Sequence, residues 1–146
     1  MGLAWRRLKE STLLVDPLDS RMNLPNDYLY TPADQWLRRE GDLLTIGITD
    51  YGQNELGELV LVELPEPGAK VRPGASFGVV ESVKSVSELV SPIAGQVVAA
   101  NAAVAGQPTL VNDSPFDEGW LVRIEVQGEL PVGLMDAAAY ATFRKL

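Results

Sequence analysis

The chain contains no cysteine and no histidine. Without cysteine there is no disulfide framework, no thiolate-ligated zinc or iron–sulfur centre and no thiol nucleophile. Without histidine there is no Ser-His-Asp triad and no imidazole metal site. Catalysis would have to rest on carboxylates, Lys, Ser, Tyr or a cofactor, so the composition points towards a carrier or binding module. Positive charge is also scarce: 12 Lys and Arg stand against 20 Asp and Glu, a net charge of −8. Phosphate backbones and anionic lipid surfaces call for a basic face. Nucleic acid and membrane are therefore poor partners, and a protein with a basic docking face is a compatible one. No apolar run approaches the roughly 20 residues that span a bilayer. What remains is ordinary: 146 residues, 46% hydrophobic and 22% charged, enough for one domain with its own core.

Residues 1–21 carry Arg6, Arg7, Lys9 and Arg21 around a short apolar stretch, Leu13 to Val15, interrupted by Glu10, Asp16 and Asp19. The stretch is too short for a signal-peptide core and too acidic for a transit peptide. This segment is expected to be a poorly ordered extension, with Met22 an alternative start, residues 22–146 forming the folded domain, and a bacterial cytoplasmic rather than mitochondrial setting. From Asn26 onward the chain reads as short strands punctuated by Gly, Pro and Asn. Leu44, Ile46 and Ile48 alternate with Thr45, Gly47 and Thr49, the period of a half-buried strand. Further strands are expected over 59–64, 77–81, 86–90, 96–100 and 122–126. A short helix over 50–56 is expected to stop at Gly57, and the Ala-rich segment 136–145, acid at its start and basic at its end, suits a terminal helix. The class is mainly β, a sandwich or small barrel with a helix packed on it. Trp36 and Trp120 are expected to pack in the core, and Gly74 and Gly95 to be turn glycines with positive φ.

Gly74 lies ten residues before Lys84 and Gly95 eleven after it. Two similar half-sheets joined by a hairpin would put Lys84 at the tip, between Ser82 and Ser85. There the four-carbon stem is pushed out of the sheet, and small neighbours leave it open to a modifying enzyme. Such a lysine suits covalent attachment of a swinging prosthetic group through an amide, which removes the ammonium charge. The arm would reach on the order of 10–15 Å, from bonds of about 1.5 Å each.

The segment around this lysine, Glu81-Ser-Val-Lys84, occurs with Trp36-Leu-Arg-Arg-Glu-Gly, Ile46-Gly-Ile-Thr-Asp, Leu56-Gly57-Glu58, Val62-Glu-Leu-Pro-Glu-Pro-Gly68, Ser91-Pro-Ile-Ala-Gly95, Leu110-Val-Asn112 and Gly119-Trp120. In this order and spacing, from about Tyr30 to Phe143, the chain closely resembles the H proteins of the glycine cleavage system. The resemblance implies a hybrid sandwich–barrel lipoyl-domain-like fold and (R)-lipoate bound covalently to Lys84. It implies a carrier with no catalytic or metal-binding residues of its own, serving four kinds of partner. These are a pyridoxal-phosphate glycine decarboxylase (P protein), a folate-dependent aminomethyltransferase (T protein), a flavin dihydrolipoyl dehydrogenase (L protein) and the lipoylating enzymes. Glu81 stands where the family places a glutamate recognised during lipoylation.

The family also places a His-Glu pair before the tryptophan, where this chain has Asp34 and Gln35. The glutamate of that pair lines the cleft that holds the loaded arm, so Gln35 is a cleft residue without its charge. Glu55 and Glu88 are then the residues to supply negative charge to the cleft. Three other readings stay open on the sequence. An H-like lipoyl carrier of another pathway, such as lipoyl relay or sulfur oxidation, would not need a charged cleft. A biotinyl carrier usually has Met on each side of its lysine, whereas Val83 and Ser85 stand here. An enzyme using Lys84 as a Schiff-base nucleophile would need a desolvated lysine, not one in a polar turn.

Overall fold

Strand periodicity and turn residues account for most of the elements in the computed structural model, which describes residues 24–146. The expectation for residues 1–21 falls outside the described residues. In chain order the elements are β1 (Leu29–Tyr30), β2 (Gln35–Glu40), β3 (Leu43–Ile48), α1 (Asp50–Leu56), β4 (Leu59–Glu63), β5 (Lys70–Val71) and β6 (Ser76–Ser82). Then follow β7 (Val86–Val90), β8 (Gly95–Ala100), α2 (Ala102–Gly106), α3 (Thr109–Asp113), β9 (Val122–Val126) and α4 (Ala137–Arg144). They form two antiparallel sheets, one of six strands in the order β1-β2-β3-β9-β8-β5 and one of three in the order β4-β6-β7. The chain is thus mainly β, with a short helix after the first strands and a terminal helix, as expected. Among the described residues no helix is long and apolar enough to cross a membrane.

Alternation divides the buried residues into two clusters. Side chains on successive strand residues point to opposite faces, so Leu37 joins the main core while Trp36 faces the other way. The main core lies between the sheets and contains Leu44, Ile46 and Ile48 of β3, Leu59 and Val62 of β4, and Val80 and Leu89 of the β6–β7 hairpin. The second cluster is aromatic. Trp36, Tyr30 and Tyr140 are fully buried there, with Tyr28, Phe116 and Trp120 packed against them. Trp36 therefore lies in a core, as expected. Trp120 is only half-buried, with the Arg123 guanidinium 4.1 Å from its ring centre. Gly47 stands opposite Trp36 in the β2–β3 register, and any side chain there would run into the indole.

The helices end where their capping residues dictate. Thr49 caps α1 by accepting from the Gly52 amide at 2.9 Å, and Gly57 ends it with φ of 87°. Asp136 caps α4 by accepting from the Ala139 amide at 2.8 Å. Gly74 has the expected positive φ, 82°. Gly95 does not: it opens β8, and a Cβ there would collide with the carbonyl oxygen of Glu125 and with Ile124 on β9. Close approach of neighbouring backbone, rather than turn geometry, requires glycine at that position.

Candidate functional site

The β6–β7 hairpin turns at Val83 and Lys84, both exposed. Ser82 closes the turn. Its amide donates to the Ser85 carbonyl at 2.8 Å, and its hydroxyl accepts from the amides of Lys84 at 3.2 Å and Ser85 at 3.1 Å. The serine therefore shapes the tip as well as leaving it open, because a short hydroxyl side chain can satisfy local backbone donors. The Val83 amide donates to the Glu58 carbonyl at 3.2 Å, tying the tip to the segment that leaves α1. Lys84 projects across that segment. A Cβ built on Gly57 would sit 3.2 Å from Lys84 Cε, so the absent side chain makes a shallow cradle for the lysine stem. Glu81, three residues earlier, pairs in register with Leu61 on one side and Val86 on the other, at intermediate exposure beside the tip.

Asn112 secures the floor of this cradle. Its amide group donates to the Gly57 carbonyl at 2.9 Å and to Gln53 Oε1 at 2.8 Å, while its oxygen accepts from the Leu59 amide at 2.9 Å. One side chain thus satisfies the end of α1 and the start of β4. Asn112→Ala would leave those groups unpaired, a cost of about 1–3 kcal/mol. Thermal unfolding of the variant should show a midpoint lowered by several degrees, and an unchanged midpoint would remove Asn112 from this role.

A cleft of about 320 Å³ opens beside the hairpin. One wall is β7, one of the two edge strands of its sheet, through Ser87, Glu88, Leu89 and Val90. The opposite wall is made by Ala33, Asp34 and Gln35 at the start of β2, with Gly52, Glu55 and Leu56 of α1. Ile48 and Val80 add apolar surface. The structure therefore brings Gln35, Glu55 and Glu88, separated by as many as 53 positions in sequence, to one cavity. Gln35 is 3% exposed; Glu55 and Glu88 are exposed. The Gln35 amide donates to the Val90 carbonyl at 2.9 Å, and Thr31 Oγ1 lies at 3.5 Å from its oxygen. Gln35 thus ties the six-stranded sheet to the edge of the other one. Both ends of its side-chain amide are thus engaged within the protein, the NH2 group by Val90 and the oxygen by Thr31.

Asp34, beside it, has a role that no local pattern signals. Its φ is 64°, a left-handed conformation that Asp tolerates better than most residues. Arg144 of α4 grips its carboxylate with two short bonds, Nε to Oδ1 at 2.8 Å and Nη2 to Oδ2 at 2.7 Å. The Tyr140 hydroxyl donates to Oδ1 at 2.7 Å and lies 2.8 Å from the Thr49 hydroxyl. Burial pushes the Tyr140 phenol well above its ordinary value, so it stays protonated. Its hydrogen bonds to Asp34 hold the Arg144 guanidinium still more firmly in its charged form. Among the described residues no group of three or more carboxylates is placed to hold a metal ion.

An exposed lysine at the tip of a tight hairpin, with a cleft beside that hairpin, is the arrangement expected of a covalent-arm carrier protein. The comparisons with known proteins agree. The family model described as glycine cleavage H-protein matches residues 28–145. The glycine cleavage system H protein of Nitratidesulfovibrio vulgaris is 49% identical over 119 residues, covering 82% of this chain and 93% of the relative. That of Anaeromyxobacter sp. is 46% identical over 123 residues, covering 84% and 96%. The crystal structure of an H protein from Mycobacterium marinum superimposes with a TM-score of 0.76 at 37% identity, covering 84% of this chain and all of that one. The chain belongs to the glycine cleavage H-protein family, a family of lipoyl carriers.

Proposed function

We propose that this chain is the lipoyl carrier of a glycine cleavage system, with lipoate in amide linkage to Lys84. The observation that carries the reading is the cradle at Gly57: an exposed hairpin-tip lysine whose stem lies where a side chain would crowd it. The residues present fit a lipoyl arm. The tip is open to a lipoylating enzyme, with Glu81 beside it for recognition, and the neighbouring cleft has both apolar and polar lining. Attached to Lys84, the group would supply the sulfur chemistry that a chain without cysteine lacks, for carriage of an aminomethyl group between the P and T proteins and of two electrons to the L protein. The chain's own residues present the arm and shelter its cargo; they do no catalysis. A cytoplasmic setting with these partners completes the reading.

In the cleft, a cationic amine needs a counter-charge once it is partly desolvated. Gln35 carries no charge and its amide is engaged by Val90 and Thr31, and the Asp34 carboxylate is engaged by Arg144. Glu55 and Glu88 are the lining carboxylates left to meet the amine. Gln35→Glu adds a third. It loses the bond to Val90, which costs about 1 kcal/mol of stability and turns the new carboxylate away from that carbonyl. The carried amine should then be held about fivefold longer, the scale of one neutral bond exchanged for a charged one. Decay of loaded protein, followed by intact mass, measures this, and equal decay of wild type and variant would reject the cleft argument. One observation favours a second reading, an H-like lipoyl carrier of another pathway: the two cleft residues at the start of β2 add no net charge. Failure of lipoylated wild type to load, with an active decarboxylase present, would select it.

A further inference from the structure

Arg144 joins three separate parts of the molecule, two of which together make one wall of the cleft. Besides its two bonds to Asp34, its Nη2 donates to the Pro32 carbonyl at 3.3 Å, and its guanidinium lies 4.8 Å from the ring centre of Tyr51 on α1. Asp34 reaches the same helix through its backbone: its carbonyl accepts from the Thr49 amide at 2.9 Å. Gly52 packs so closely on Asp34 that a Cβ there would meet Asp34 Cβ at 2.9 Å. Thr49, the cap of α1, is bonded in turn to Tyr140 on α4. The 31–35 turn, the first turn of α1 and the last turns of α4 therefore share one network. The ion pair is largely shielded, with side chains 27% and 20% exposed, and its fork geometry fixes orientation as well as distance.

We propose that Arg144 and Asp34 are positioning residues: a latch from the C-terminal helix that sets the spacing between the 31–35 turn and α1, and so the shape of the arm cleft. Its consequence for cargo rests on the lipoyl-carrier reading above; the latch itself does not. Arg144 is not among the residues lining the cleft and bonds directly to Asp34, which is, so it acts on the arm by holding that wall. The latch also keeps the Asp34 carboxylate turned towards α4, which leaves the charge of the cleft to Glu55 and Glu88.

The test uses the full chain without lipoate first. Amide exchange is measured at Gly52, which donates to Thr49 Oγ1, and at Gln53, which donates to the Thr49 carbonyl. Arg144→Leu should speed exchange at both about tenfold, the scale of one lost charge-assisted bond. Arg144→Lys, which keeps the charge and one bond, should fall between. Asp136→Ala weakens α4 at its other end through its cap; it lowers the melting temperature but should leave those two amides unchanged. Equal exchange in Arg144→Leu and wild type, or equal acceleration in Asp136→Ala, would overturn the latch. The second measurement uses lipoylated, reduced protein loaded with formaldehyde and ammonia, a condensation on a thiol that releases water and needs no partner enzyme. Arg144→Leu should lose the carried amine several-fold faster than wild type. Slower loss would mean that a freed Asp34 holds the amine by its own charge, which also overturns the proposal. Wild type that loses the amine as fast as free aminomethylated lipoamide would overturn the arm-cleft reading, while the exchange data still decide the latch.

Discussion

Lys84→Arg is expected to abolish lipoylation completely while leaving the fold intact. Arginine keeps the positive charge and much of the stem, but its guanidinium does not form the neutral amide to lipoate. The hairpin turn should survive, because it is closed by Ser82 and not by the lysine side chain. Lys84 is exposed, so the substitution leaves no buried group unpaired. Incubation with a lipoate ligase, intact mass and peptide mapping measure the outcome. Wild type should carry one adduct on Lys84, and the variant none. An adduct on Lys9, Lys70 or Lys145 in either protein would remove the hairpin tip from its role. A biotinyl adduct in the natural host, or no adduct there at all, would end the lipoyl reading.

Trp36→Ala is expected to cost more stability than any of the other variants. The indole is fully buried between Tyr28 and Phe116, with ring centres at 5.1 and 6.0 Å, and its Nε1 donates to the Pro115 carbonyl at 2.9 Å. Removing it loses transfer energy, leaves a cavity and strands that carbonyl. The cost is about 3–5 kcal/mol, a large fraction of the roughly 5–15 kcal/mol that a domain typically has. Thermal unfolding should shift by roughly 10–20 °C. Trp36→Phe, which keeps a ring but loses the bond, should lose less than half as much. A shift of only a few degrees for the alanine variant would mean that the aromatic cluster contributes little. The hairpin packs on the other core, between the sheets. Lipoylation below the new midpoint should therefore continue at the wild-type rate.

Local sequence determined a good deal of this architecture. The alternating residues of β9 place one face in a core, and a period of two is visible in a single stretch of chain. β3, expected to be half-buried, is buried on both faces, with Thr45 and Gly47 covered as well, because the aromatic cluster around Trp36 packs on its second face. Thr49 and Gly57 delimit α1, and Asp136 opens α4, because caps act on backbone groups a few residues away. β2 carries no such local signal: Gln35–Glu40 contains only two apolar residues among charges, and its pairing with β3 across the 41–42 turn supplies what propensity does not. The short helices α2 and α3 escape a local reading for a related reason. Each is five residues long, and their stability comes from Val104 and Val111 buried in the main core rather than from helix propensity. Gly95 resembles a turn glycine in sequence because its actual constraint, the backbone of β9, lies 30 residues away.

The candidate site divides in the same way. The lysine, its serine neighbours and the order of short motifs around it are legible because they occupy one hairpin and one reading direction, and they suffice to place the chain among lipoyl carriers. The absence of cysteine, a matter of composition alone, leaves the chain without a thiol of its own. What only the tertiary structure decided is how the lysine cradle and the cleft are built. Asn112 supports Gly57 from 55 positions away, and Arg144 holds Asp34 from 110. Gln35 spends its amide on Val90 of the other sheet. A hydrogen bond or ion pair depends on atoms meeting within about 3 Å, and residues so far apart meet only after the two sheets and the C-terminal helix have closed on one another.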